Sequence, residues 1–232
     1  GHILGYEALM RWEHPERGMV APGEFLPLIE HTDLIVEAGQ WALHKAMAQL
    51  DQWVRQGHNW VVSVNIAARH FHTPDFVDNM RQLLAQYPQV PPHLLELEIL
   101  ESAALQDVVH MRAVMQACQA LGVCFALDDF GTGFSSLSYL KQLPAETIKI
   151  DRSFVDGLLH DADDRTLVSA IVGLSQAFTR CVVAEGVETP EQASRLLSLG
   201  CELGQGYGIC KPMPLGRVQA WAAQHTLSFE SV

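Results

Sequence analysis

The stretch FALDDFGTGFSSL, residues 125–137, joins an apolar run to two adjacent aspartates and a glycine-rich loop. The apolar run predicts a buried strand, and Asp128 and Asp129 stand where that strand ends. Two like charges at such a place repel each other unless a proton or a cation neutralises them. The aspartate pair therefore indicates a functional site at the end of this strand.

The same pattern recurs along the chain: a short apolar strand, a polar residue at its end, a loop and an amphipathic helix. Strands are predicted in GHILGYEALMRW (1–12) and at 61–65, 94–99, 124–129, 147–151, 181–185 and near 202–210. Helices are predicted around 36–56, from Thr73-Pro74, over the face 108–118, near Ser135, around 163–178, from a capping box at Thr189 to Gly200, and near 215–224. Strands that alternate with helices predict a parallel sheet with helices outside it.

The polar residues at the strand ends favour one α/β architecture. They are Glu7, Asn65, Glu98, Asp128, Asp129, Lys149, Glu185 and Gln205. In a closed barrel the carboxyl ends of the strands meet at one mouth, whereas in a doubly wound open sheet they lie along a line. The pattern therefore predicts a modified TIM-type (β/α)8 barrel.

Each of these residues alone has a structural explanation, since an acid after a strand commonly caps the next helix. Together, however, five carboxylates at one mouth need a counter-charge. Oxygen ligands without cysteine or histidine favour Mg²⁺ or Mn²⁺ over zinc. Strand alternation places Asp128 toward the barrel axis, and Gly131 and Gly133 let Asp129 turn back over the mouth. One carboxylate could then bridge two metals.

Composition excludes several other classes of protein. The net charge of −12 argues against a general nucleic-acid binder. No apolar run approaches the roughly 20 residues that span a bilayer, and the start has no signal-peptide pattern. The five cysteines lack zinc or disulfide spacing, which predicts reduced thiols and a cytoplasmic domain. Whether a parent protein is tethered to a membrane stays open.

Seven motifs in order carry a family resemblance: GYEALMRW, SVNIA, LELEILES, ALDDFGTGFSSL, IKID, VVAEGVET and QGYGICKPMP. The chain closely resembles the EAL-domain family of cyclic-di-GMP phosphodiesterases from about residue 1 to 215, and Glu7-Ala8-Leu9 matches the signature. The resemblance implies one EAL domain over 1–232 with a tail at 225–232. It implies a modified barrel that hydrolyses cyclic di-GMP to linear pGpG with two Mg²⁺ or Mn²⁺ ions.

The resemblance also implies roles for individual residues. One metal would be held by Glu7, Asn65, Glu98 and Asp128, and the second by Asp128, Asp129 and Glu185. Lys149 would orient the attacking water and help to neutralise phosphate charge, and Glu101 would anchor the DDFGTG loop. Arg11 would contact the substrate phosphates, with Leu9 and Gln205 also assigned to substrate binding. Glu188 and Gln205 would complete the site.

The chain departs from the family pattern at three places. Leu100 stands where threonine is usual, and Ala67 where serine is common. The strand that precedes the signature in family members, which ends in a Tyr-Gln-Pro-like segment, has no counterpart here. We therefore expect the sequence to be N-terminally incomplete. A homodimer and regulation by sensory or GGDEF-type domains outside this chain are further expectations from the resemblance.

Three other functions are open to comparison. A receptor that binds cyclic di-GMP without cutting it would typically have lost ligand positions, and here all of them are filled. A barrel enzyme that stabilises an enolate with one Mg²⁺ could use Lys149 as its base, but it has no use for the aspartate pair. GQGYG at 204–208 resembles a dinucleotide loop, but Pro212 and Pro214 stand where its helix would begin.

Overall fold

The computed structural model of the chain describes residues 1–132 and 137–224. Gly133, the predicted helix start near Ser135 and the tail at 225–232 lie outside these residues. Contacts within the chain define two compact units. The N-terminal unit comprises Leu4–Phe125 and Ser138–Pro144, and the C-terminal unit comprises Gly1–Ile3, Ala126–Leu137 and Ala145–Val232. The assignment of one functional domain to 1–232 stays a prediction.

Parallel strands form the sheet of the N-terminal unit. Up to residue 100, where every residue is described, the strands are β1 (Gly5–Ala8), β2 (Trp12–His14), β3 (Gly18–Val20), β4 (Val61–Asn65) and β5 (Leu95–Leu100). Strand β4 pairs in parallel with β1 on one side and with β5 on the other, while β2 and β3 form an antiparallel hairpin. Parallel pairing brings the carboxyl ends of β1, β4 and β5 to one edge.

Helices of this unit cover the sheet with apolar faces. They are α1 (Pro22–Ile29), α2 (Leu34–Arg55), α3 (Ala68–Phe71), α4 (Phe76–Gln86), α5 (Glu101–Ala104) and α6 (Val108–Gln119). The long helix α2 buries Leu43, Met47 and Leu50 at steps of three and four residues, which is the spacing that predicted it.

The C-terminal unit is also a parallel α/β arrangement. Strand β6 (Cys124–Phe130), which enters this unit at Ala126, is followed by β7 (Thr147–Ile150), β8 (Cys181–Ala184) and β9 (Leu203–Gly204). They pair in parallel in that order. The helices of this unit after residue 136 are α8 (Arg152–Gly157), α9 (Ala162–Ala177), α10 (Pro190–Ser198) and α11 (Val218–Gln224), whereas α7 (Leu137–Gln142) belongs from Ser138 onward to the N-terminal unit. The capping box predicted at Thr189 is present, with Gln192 as its second member.

Several predicted boundaries were wrong. The strand predicted near 202–210 ends at Gly204, because the backbone then turns and the amides of Ile209 and Cys210 bond to the Gly206 carbonyl. GHILGYEALMRW contains β1 but is not one strand, since β1 ends at Ala8 and the last residue, Trp12, begins the separate strand β2 that pairs with β3. Helix α4 begins at Phe76, after the separate turn of α3.

Candidate metal centre

In the N-terminal unit, Glu7 and Asn65 meet at the carboxyl ends of β1 and β4. The Asn65 amide donates a hydrogen bond of 2.6 Å to a Glu7 carboxylate oxygen. Asn65 is also in register with Glu98 of β5. Three residues predicted as ligands of one metal thus lie on three adjacent strands of this unit, and each offers an oxygen ligand.

Two further glutamates of this unit are buried. Glu98 is 1% exposed and Glu101, the first residue of α5, is 2% exposed. Carboxylates are rarely buried to this extent unless they are paired or bind a cation. The family resemblance implied a ligand role for Glu98 and a loop-anchoring role for Glu101, and both roles stay predictions.

The two predicted substrate contacts of this unit lie at its surface. Leu9 is 43% exposed, directly after β1. The Arg11 guanidinium is exposed and donates to the carbonyl of its own neighbour, Met10, at 2.8 Å. Both side chains are therefore accessible to a ligand, and their assignment to substrate stays a prediction.

In the C-terminal unit, Asp128, Asp129 and Glu185 form a compact acidic group. One carboxylate oxygen from each lies within 4.8 Å of the others. Asp128 and Asp129 come from the end of β6, and Glu185 directly follows β8. The structure therefore brings together the three residues that were predicted to hold the second metal.

The backbone explains how two neighbouring aspartates reach the same group. Successive strand residues normally point to opposite faces, but Asp129 has φ of +53° and the register with β7 shifts between Leu127 and Phe130. The sequence assigned this turn to Gly131 and Gly133. In the structure the turn lies at Asp129 itself, which adopts a left-handed conformation that aspartate tolerates better than most residues. Gly131, with φ of +101°, continues the turn.

Lys149 provides the positive charge within the acidic group. It is 2% exposed, and its ammonium lies 2.7 Å from Glu185 and 3.2 Å from Asp128. Gln205 donates a hydrogen bond of 2.8 Å to the same Glu185 oxygen, Oε1. The structure thus brings predicted site residues from β6, β7, the end of β8 and the end of β9 to one place.

Electrostatics single out Asp129 and add a residue that the sequence interpretation missed. Burial, followed by the charges of Asp128 and Asp151 and a hydrogen bond with Asp151, raises the pKa of Asp129 to about 6. Asp151 follows β7 and caps α8 through the Ser153 amide. Its position at a strand end, two residues after Lys149, was the available signal.

The donor set fits a hard divalent cation. All three ligand atoms of the C-terminal group are carboxylate oxygens, which suit Mg²⁺ or Mn²⁺. Burial and the charges of Asp128 and Asp151 raise the pKa of Asp129, although Lys149 lowers it. A bound cation would add positive charge and favour the ionised carboxylate. Glu188, predicted to complete the site, accepts a hydrogen bond of 2.8 Å from Arg152.

The sequence of the chain is similar to those of known proteins. The sequence model described as EAL domain matches residues 1–212. The bifunctional diguanylate cyclase/cyclic di-GMP phosphodiesterase MucR of Pseudomonas aeruginosa is 45% identical over 224 residues, which cover 96% of this chain and 33% of that protein. The cyclic di-GMP phosphodiesterase PA2567 of the same organism is 37% identical over 221 residues, covering 95% of this chain and 38% of that protein.

A solved structure, the PaMucR phosphodiesterase in complex with c-di-GMP, matches with a TM-score of 0.90 and 45% identity over 94% of this chain and 88% of that one. This likeness confirms the predicted fold class, an α/β protein of the modified barrel type. The chain spans about a third of the length of the two curated relatives. In the described part of the chain, no helix combines the length and apolar character that crossing a bilayer requires.

Proposed function

The chain belongs to the EAL domain family, and from this we propose that it hydrolyses cyclic di-GMP to linear 5′-pGpG with the help of divalent metal ions. The observation that carries the proposal is the group of three carboxylates and Lys149 in the C-terminal unit. Support comes from relatives that are named as cyclic di-GMP phosphodiesterases and from a related phosphodiesterase solved with c-di-GMP. The reaction consumes one water and opens one phosphodiester bond at its 3′ oxygen.

Residues with oxygen donors in both units are proposed as metal ligands. In the C-terminal unit they are Asp128, Asp129 and Glu185, and in the N-terminal unit Glu7, Asn65 and Glu98. Two Mg²⁺ or Mn²⁺ ions, when bound, make a water more acidic and stabilise charge on phosphoryl oxygens. This arrangement also explains how a chain with a net charge of −12 would hold a dianionic substrate, since the carboxylates bind cations and the cations attract phosphate.

Lys149 is proposed as the group that acts directly on the reacting atoms. Its buried ammonium has three donors and no acceptor, and it lies next to two of the proposed metal ligands, Asp128 and Glu185. In this position it would donate to the attacking water or to a phosphoryl oxygen and hold it in place. Gln205 keeps the carboxylate of Glu185 oriented by its hydrogen bond.

Regulation is proposed to come from outside the chain. MucR, of which this chain covers 33%, is named as a bifunctional diguanylate cyclase and phosphodiesterase. A parent protein with sensory or GGDEF-type domains and a homodimeric EAL domain are the corresponding proposals. The exposed Leu9 and Arg11 are proposed as substrate contacts, with Gln205, and Glu101 as the anchor of the DDFGTG loop.

Product analysis with a matched pair of variants tests the function. The wild type is incubated with cyclic di-GMP and Mg²⁺ or Mn²⁺, and pGpG is measured by chromatography. We expect pGpG from the wild type and from the control Glu37→Gln, which removes the same charge as Glu7→Gln but from an exposed residue of α2. We expect no pGpG from Glu7→Gln or from the wild type in excess chelator. Full activity in chelator would contradict the metal requirement. Tight binding of cyclic di-GMP without product would instead favour the receptor function.

A further inference from the structure

Arg152, the first residue of α8, connects this helix to the loop between β8 and α10, which we call the 185–189 loop. Its guanidinium donates to Glu188 at 2.8 Å and to Asp156 of its own helix at 3.1 Å. Because the planar guanidinium is held from two directions, Glu188 is fixed relative to α8. The side chain of Arg152 therefore spans from one element to another.

A second contact joins the same arginine to the same loop. Gly186 has φ of +70°, and a Cβ there would lie 2.3 Å from the Arg152 Cγ atom. The aliphatic part of Arg152 thus covers the backbone of Gly186, and only glycine leaves room for it. Arg152 therefore contacts the loop at two residues, directly after Glu185 and at Glu188.

The loop is also held by the chain after β9. The Val187 amide donates to the Gln205 carbonyl at 2.9 Å, and the Gly208 amide donates to the Val187 carbonyl at 2.9 Å. The loop thus contacts two elements. One is Arg152 at the start of α8, and the other is the segment that also carries Gln205, the hydrogen-bond donor to Glu185.

We propose that Arg152 is a positioning residue for the metal centre, which holds the 185–189 loop through Glu188 and Gly186 so that Glu185 faces Asp128 and Lys149. This inference rests on the proposed function and adds to it a residue that the motif pattern did not indicate. It also gives Glu188 a defined task, since its carboxylate receives the guanidinium of Arg152.

Exposure of the pair makes the proposal testable. The Arg152 and Glu188 side chains are 52% and 40% exposed, and ion pairs of this kind contribute little to folding stability. Loss of the pair is therefore expected to move the loop without unfolding the chain. A merely structural role would instead lower the melting temperature of the metal-free protein.

A double-mutant cycle tests whether Arg152 acts through Glu188. The variants are Arg152→Ala, Glu188→Ala and the double mutant, with Arg195→Ala as a control. Arg195 is an exposed arginine of α10 in the same unit, and its side chain has no ion pair among the residues that the structure describes. The readouts are kcat and KM for cyclic di-GMP, the Mn²⁺ concentration for half-maximal activity, and the Mn²⁺-induced rise in melting temperature.

We expect Arg152→Ala to weaken the Mn²⁺ response and lower kcat by roughly 10-fold to 100-fold, the range found when groups that orient metal ligands are lost, with KM little changed. The double mutant should match Arg152→Ala within about a factor of two, because Arg152→Ala already removes both contacts to the loop. Additive losses, or an effect no larger than that of Arg195→Ala, would overturn the proposal. If the wild type forms no pGpG, the proposed function fails, and the Mn²⁺-induced rise in melting temperature alone decides on Arg152.

Discussion

The amide of Asn65 donates a hydrogen bond of 2.6 Å to a carboxylate oxygen of Glu7, although 58 residues separate them. Asn65→Asp replaces this donor with a second carboxylate, and the two like charges repel each other unless a cation neutralises them. We expect a lower melting temperature in chelator and a larger rise on addition of Mn²⁺ than in the wild type, measured by scanning fluorimetry.

The matched control for this change is Asn79→Asp in α4. Asn79 also donates to a carboxylate, that of Asp75 at 3.0 Å, but on an exposed helix surface. This variant should show no altered response to Mn²⁺. If both variants respond equally, the Glu7–Asn65 pair has no special relation to a cation.

Lys149 is the buried counter-charge of the acidic group, and its removal should destabilise the metal-free protein. Lys149→Met keeps most of the length of the side chain but leaves Asp128 and Glu185 without the lysine ammonium. Breaking a buried ion pair from one side typically costs about 3–5 kcal/mol, which urea denaturation in chelator would measure. Exposed Lys141→Met is the control and should stay within about 0.5 kcal/mol of the wild type. A stable, metal-free Lys149→Met protein would show that the carboxylates are compensated in another way.

Asp129 should make the metal-free protein less stable as the pH rises. Burial and the neighbouring aspartates raise its pKa from 3.8 to about 6 in the folded state. The folded state therefore binds more protons than the unfolded state in this interval, so the free energy of unfolding falls as the pH increases through it. Asp129→Asn removes this contribution, and its free energy of unfolding should depend less on pH.

Urea denaturation in chelator at about pH 4.5 and about pH 7 measures the difference for each protein. Exposed Asp163→Asn, in the first turn of α9, is the charge-matched control. An equal pH dependence of the wild type and Asp129→Asn would contradict the assignment. Because a cation binds the ionised carboxylate, Mn²⁺ should also protect the wild type more at the higher pH.

Local sequence signals predicted the alternation of strands and helices and the polar strand ends. Glu185 and Lys149 could be placed because each stands near the carboxyl end of a predicted strand, and parallel strands bring these ends to one edge. The turn at Asp129 could not be predicted in the same way, since its φ of +53° accompanies a register shift against β7. That shift depends on pairing between segments and not on the aspartate itself.

Long-range partners account for the other differences. Nothing in the sequence indicates that Arg152 meets Glu188, since the two are 36 residues apart and each has an ordinary surface explanation. The same holds for Asp151. Its helix cap with Ser153 is local and can be predicted from the sequence, whereas its contact with Asp129 cannot. Residue type and strand-end position thus predict which groups join a site, but not which of them hold each other in place.

Two helical glycines give opposite predictions when changed to alanine. In α2, a Cβ on Gly39 would lie 2.5 Å from Nδ1 of His70, a ring that is 1% exposed and packs edge-on against Phe76. Gly39→Ala should therefore destabilise the protein by about 1–3 kcal/mol through overpacking.

In α9, a Cβ on Gly173 meets nothing within 4 Å, so Gly173→Ala should stabilise the protein by about 0.5–1 kcal/mol through the gain in helix propensity. Urea midpoints of the two variants and the wild type measure both effects, and Gly39→Ala combined with His70→Ala should recover part of the loss. Equal stabilisation by the two alanines would show that His70 moves aside freely.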